Sequence, residues 1–151
     1  MASKLTGNWK GLKKFTTNFD KDLKNESKGY LSDTSQEIKE AIQDTINGQT
    51  ESWTPLKPDT IEKKGSSMIL KEKGDLVNSI EVTRQSDEVY VITPQGSHHS
   101  GLSNSTIAIY HEYGTERIPP RPFISPVYDD FKDEVPKEVT KMVGKTVQKY
   151  I

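Results

Sequence analysis

Cysteine is absent from all 151 residues, which removes disulfides, thiol nucleophiles and thiolate metal sites together and suits assembly in a reducing cytoplasm. No apolar run approaches the roughly 20 residues that span a bilayer. The opening Met1-Ala2-Ser3-Lys4-Leu5 lacks the apolar core of a signal peptide. A soluble, intracellular chain with no membrane partner is expected. Charge of one sign is missing too: Lys and Arg number 21 against 22 Asp and Glu, for a net charge of −1 and a pI near 6.3. That balance gives no global positive field of the kind that drives binding to nucleic acid or anionic lipid. Apolar residues are few, 31% against 28% charged, which is lean for a compact monomer but too patterned for a disordered chain. Burial by partners would explain the deficit, and the length fits one domain.

What is present divides residues 1–151 into three parts of that single domain. Residues 1–50 read as a helical N-terminal arm. Trp9, Leu12, Phe15, Phe19 and Leu23, then Leu31, Ile38, Ala41, Ile42 and Ile46, recur at spacings of three and four. Gly29 marks a kink or break in that pattern, and Asn47-Gly48 marks its end. The first fourteen residues carry four lysines and no acid, a solvated helix start. Residues 51–126 read as a mixed α+β core. Pro55 and Pro58 hold off regular helix until Asp59 caps a short turn through Thr60, and Gly74-Asp75-Leu76 opens another. Ile80 to Arg84 alternates, Val89 to Thr93 is strand-prone, and Ser86-Asp87 between them suits a hairpin turn. Residues 95–106 hold no Lys, Arg, Asp or Glu and read as a mobile loop. Residues 127–151 read as a C-terminal helix with a valine stripe, acids leading and lysines following, and Pro136 breaking or restarting it. The fold class is α+β: a small antiparallel sheet packed with a long N-terminal helix and a C-terminal helix.

Familiar catalytic patterns are weak or missing. His98, His99, His111 and Glu112 offer zinc-type ligands, but adjacent histidines diverge on regular backbone, and the second histidine of His-Glu-x-x-His is lacking. Gly144-Lys145-Thr146 copies the end of a phosphate-binding loop with Val139 where its first glycine belongs. Asp129, Asp130 and Asp133 read as a solvated helix face. Neither metal nor cofactor is assigned, and no enzyme activity. Trp53 and Phe123 each fit either a core or an interface anchor, with Trp53 favouring the core.

The densest set of local constraints runs from Ile109 to Pro126. Gly114 closes an apolar segment, and three prolines, Pro119, Pro120 and Pro122, frame Arg121 and Phe123 and fix the backbone around them. Tyr-x-Glu-x-Gly-Thr followed by Pro-x-Arg-Pro-Phe-x-x-Pro resembles the bacteriophage tail-completion and head–tail joining proteins. Trp53-Thr54-Pro55-Leu56, Thr60 and Gly74-Asp75-Leu76 are similar to the earlier part of the same broad group of virion morphogenesis proteins. Pro120, Glu116 and Lys73 depart from the family pattern. The resemblance covers Trp53 to Pro126. It implies a structural virion protein forming a ring, of six copies, in the neck of a tailed phage. Its partners would be other copies of itself, a head-side connector or stopper protein, and a tail terminator or tail tube protein, with DNA passing through unread. Its location would be the virion neck, and the host cytoplasm during assembly. Glu112, Gly114, Thr115, Arg117, Pro119, Arg121, Pro122 and Phe123 then become interface candidates. Trp53, Pro55, Leu56, Thr60, Gly74 and Leu76 become structural motif residues. Two other readings stand beside this one: a host adaptor module using its amphipathic helices, and a small metal-dependent hydrolase built on the histidines.

Overall fold

The computed structural model describes residues 7–150; the lysine-bearing start at residues 1–6 and Ile151 lie outside them. Helix α1 runs Trp9–Gly48 without interruption, roughly 60 Å at 1.5 Å per residue. Asn8 caps it by accepting from Gly11 N at 2.8 Å. The break expected at Gly29 does not occur. Both halves of the helix are held by other elements, which outweighs the weak helix preference of one exposed glycine. The expected stop is displaced by one residue, since Gln49, not Gly48, takes the left-handed conformation (φ 52°). The Gln49 side-chain amide offsets that strain by pairing with Ile69, donating to its carbonyl at 2.9 Å and accepting from its N–H at 2.8 Å.

Helix α2 spans Pro58–Lys64 with Lys57 as its N-cap. Pro58 starts the helix instead of delaying it to Asp59, because the first helical position needs no N–H partner. Helix α3 is a single turn, Asp75–Asn78, leading into strands β1 (Ile80–Arg84) and β2 (Tyr90–Pro94). These pair antiparallel with Ile80 opposite Pro94 and Arg84 opposite Tyr90, as the alternation predicts. A lone hairpin is marginal in water. Here α1 packs against both strands and Ile80 is fully buried.

The segment expected to be a mobile loop, 95–106, is tied down and partly helical. Helix α4 spans Asn104–Tyr113, capped by Ser103 Oγ accepting from Thr106 N at 3.1 Å. Asn104 N donates to Gly96 O at 3.0 Å, its side chain to Gln95 O at 2.7 Å, and Ser105 Oγ to Pro94 O at 2.6 Å. The serines and asparagine that looked like mobile-loop residues serve as caps and backbone partners. The expected C-terminal helix is two helices, α5 (Ser125–Phe131) and α6 (Glu134–Gln148). They divide at Lys132-Asp133, and Pro136 sits in the first turn of α6, in keeping with the restart read from the sequence.

Two apolar regions hold these elements. Ile42 and Ile46 of α1 join Trp53, Leu70, Leu76, Ile80, Phe123 and Val127 in the main core. Nearer its start, α1 packs on α6, where Phe15 and Phe19 meet Tyr150 at ring distances of 5.6 and 6.3 Å and the Tyr150 hydroxyl donates to Asp22 at 2.6 Å. The fold is therefore α+β, with a long N-terminal helix, a two-stranded antiparallel sheet and C-terminal helices. A Cβ added at Gly29 meets nothing within 4 Å, so Gly29→Ala is expected to stabilise the chain by about 0.5–1 kcal/mol in urea unfolding. A loss of stability would show that the helix needs the glycine.

Candidate functional site

The strip from Ile109 to Pro126 is built around one carboxylate. Asn104, Ala108 and Glu112, four residues apart on α4, form its buried stripe. The Glu112 carboxylate accepts from Phe123 N at 2.9 Å, Ile124 N at 3.0 Å, Ser125 N at 2.8 Å and the Ser125 hydroxyl. These are the free amides at the start of α5, and a carboxylate satisfies them as a cap does. Burial pushes the Glu112 carboxyl upward, but the hydrogen bonds from Ser125, Phe123 and Ile124 outweigh it and hold the group below its ordinary value. Gly114 ends α4 at φ 76°. A Cβ there would lie 2.9 Å from Pro120 N and 3.0 Å from Ile118 O, so glycine is required by conformation and by space. Thr115 then closes a turn, its N donating to Ile118 O at 2.8 Å and its hydroxyl accepting from Ile118 N at 3.1 Å. Arg121 N returns to His111 O at 2.6 Å.

The two stretches that carry the family resemblance meet here. Trp53 Nε1 donates to Pro122 O at 2.8 Å and Arg121 Nε to Thr54 O at 3.1 Å. Three of the interface candidates are turned inward in the free chain. Phe123 is 0% exposed, Arg121 6% and Glu112 8%, so none of the three is displayed on the surface of the free chain. Phe123, its amide held by Glu112 of α4, turns from the proline-framed loop into the core. Thr115, Arg117 and Pro119 remain exposed, and Gly114 and Pro122 are half-buried. Among the motif residues Trp53, Gly74 and Leu76 are buried, Leu56 is half-buried, and Pro55 and Thr60 are exposed.

Beside the strip lies a cleft of about 420 Å³. Its apolar lining includes Leu70, Leu76 and Ile107, and its charged lining includes Lys57, Lys64, Arg117 and Arg121 with Glu72. Leu70 turns into it from a left-handed backbone (φ 60°). Arg121 has no ion-pair partner among the described residues. Burial lowers the pKa of Lys64 and of Arg121. His111 sits on the same cleft with Nδ1 buried and unpartnered among the described residues. Burial, with Arg121, Lys64 and His98 nearby, brings its pKa down to about 4.

The histidines do not converge as a four-residue set. His98 and His99, expected to diverge, stack with ring centres 4.0 Å apart, because the loop carrying them is neither helix nor strand. Asp75 joins them: its carboxylate accepts from His99 N at 3.0 Å and lies 2.6 Å from His99 Nδ1. Donor atoms of Asp75, His98 and His99 lie within 4.8 Å of one another, so this trio, not His111 or Glu112, has the spacing to hold a cation. Asp75, read in the sequence only as the opening of a helical turn, could not be linked to the histidines because it stands 24 residues from His99. Unnoticed in the sequence was the outer face of α4, where Ile109 is 57% exposed and Tyr113 77%, with Tyr110 beside them. Their spacing of one and four is the signal, hidden by reading the helix start as loop.

No family model and no solved structure matches the chain. An uncharacterized protein of Methanocaldococcus jannaschii is 28% identical over 133 residues, which is 87% of this chain and 95% of that protein. The likeness extends over nearly the whole of both chains and brings no activity with it.

His111 makes the fold acid-sensitive in a defined window. With a pKa of about 4 folded against an ordinary 6.5, the folded chain binds fewer protons there than the unfolded chain. Stability is therefore full above about 6.5 and falls as pH drops toward 4. Glu112 adds to the loss only at lower pH, through its own depressed value. At about 1.4 kcal/mol per unit, the His111 contribution is at most about 3.5 kcal/mol. Urea melts across this range should show the loss in the native chain and a flatter profile in His111→Gln. An equally steep profile in the variant would remove His111 as its cause.

Proposed function

We propose that this chain is a structural virion protein of a tailed bacteriophage, forming a ring in the neck that completes the tail end and joins it to the head connector. The observation that carries the reading is the outer face of α4. Ile109, Tyr110 and Tyr113 stand in solvent on the helix whose opposite face is locked to the strip by Glu112. Tyrosine buries large area at small entropic cost and is enriched at protein interfaces. A rigidly held helix bearing two of them, next to an isoleucine, suits a contact that must recur at the same angle from copy to copy.

Three further points support it. The two resembling segments form one unit, through Trp53 to Pro122 and Thr54 to Arg121, so the resemblance is to a coherent piece of structure. Ring contacts are heterologous, and this chain has different surfaces to offer on α4 and on the acidic start of α6. The near-neutral charge suits a channel wall past which DNA slides without being gripped. The reading gives the chain six copies around the DNA path, a head-side connector or stopper on one side, and a tail terminator or tube protein on the other. It assigns no catalysis and no cofactor. In a lysate of phage lacking this gene, electron microscopy is expected to find filled heads and separate tails. Normal infectious particles would refute the reading.

A further inference from the structure

The cleft beside the strip contains an electrostatic imbalance that the fold itself does not resolve. Arg121 is 94% buried, taking its 6% exposure from the whole. Its one side-chain hydrogen bond among the described residues runs from Nε to Thr54 O, which leaves the two terminal nitrogens of the guanidinium without a partner. A largely buried cation without a counter-charge is costly, and the terminal nitrogens, which are not among the sealed unpartnered atoms, face the cleft. Glu72 borders the same cleft but forms no ion pair with Arg121; its carboxylate lies 3.4 Å from His99 Nε2 instead. Lys64 stands on another wall, one of its three donors given to Met68 O and its charge felt by Glu72, and Arg117 at the exposed edge. His111 adds an imidazole whose Nδ1 has no partner among the described residues.

We infer that this cleft is an oxyanion-binding site, in which the open fork of Arg121 takes two oxygens of one carboxylate or phosphate group and Lys64 and His111 complete the shell. The planar guanidinium fork matches either group through two parallel hydrogen bonds, which a point charge cannot do. His111 lines the same cleft and is neutral while the cleft is empty; a bound oxyanion supplies the negative charge that favours its protonated form. The site stands apart from the virion reading and holds whatever the chain assembles with. Its oxyanion has two sources. One is a free anion. The other is a second copy of this chain, whose Asp130, Asp133 and Glu134 are exposed and without ion-pair partners among the described residues.

The test is a titration of the full chain with inorganic phosphate, followed by NMR of the Arg121 Nε–H, the His111 ring and the amides around them, with sodium chloride at matched ionic strength as the control. Saturable shifts confined to the cleft are expected, together with an upward move of the His111 titration. Binding should be at least tenfold weaker in Lys64→Gln and lost in Arg121→Gln. Because Arg121 is buried, Lys64→Gln, checked for an unchanged melt, carries the test if Arg121→Gln does not fold. A second arm follows self-association by sedimentation. If phosphate disperses oligomers and Asp133→Asn with Glu134→Gln prevents them, the natural occupant is the neighbour's carboxylate. If phosphate binds and association is unmoved, the occupant is a free anion. No saturable shift, the same response to chloride, or full binding by Lys64→Gln would overturn the site.

Discussion

The Glu112 carboxylate accepts four hydrogen bonds from Phe123, Ile124 and Ser125, and most of what is distinctive in this chain depends on that attachment. It fixes the end of α4 to the start of α5. It carries Phe123 into the core that also holds Ile46 and Ile80, and it forces the ten residues between Glu112 and Phe123 to turn back within a short space. Gly114, the Thr115 turn and the paired prolines are the backbone solutions to that demand. A carboxylate is suited to the task because neutral acceptors form weaker bonds to three orphan amides in a buried place. The fold answers burial of the charge with hydrogen bonds rather than with a cation.

Two surfaces follow from this one attachment. On one side α4 is held with Ile109, Tyr110 and Tyr113 outward. On the other, the returning chain carries Arg121 behind the strip, where Thr54 takes one of its donors and a cleft receives the rest. The cation and the carboxylate of the strip, Arg121 and Glu112, do not pair with each other: the acid serves amides, the base a carbonyl and an open cleft. The exposed apolar face of α4 and the cleft thus lie on opposite sides of the Glu112 attachment.

Much of the architecture was legible in the sequence. The three-and-four spacing from Trp9 to Ile46 belongs to a helix, and the alternation around Ser86-Asp87 belongs to a hairpin, because both patterns reflect one-sided burial over consecutive residues. Single residues misled where packing decides. Gly29 looked like a break, yet α1 is held on either side of it. The serines of 95–106 have the same chemistry as caps and as loop residues, and only the following helix distinguishes the two. The strip was recognisable as constrained, but its direction was not: the partners of Arg121 and Trp53 lie 67 and 69 residues away, and no local pattern records them. The same distance problem hid Asp75 from the histidines.

That the strip is an internal brace in the free chain is best tested by native-state amide exchange. If Glu112 holds it, the Phe123, Ile124 and Ser125 amides exchange only through global unfolding in the isolated protein, and Glu112→Gln releases these three while the α1 core amides keep their protection relative to the variant's own stability. Rapid exchange of the three amides in the native chain, as from an open loop that orders on docking, would contradict the account.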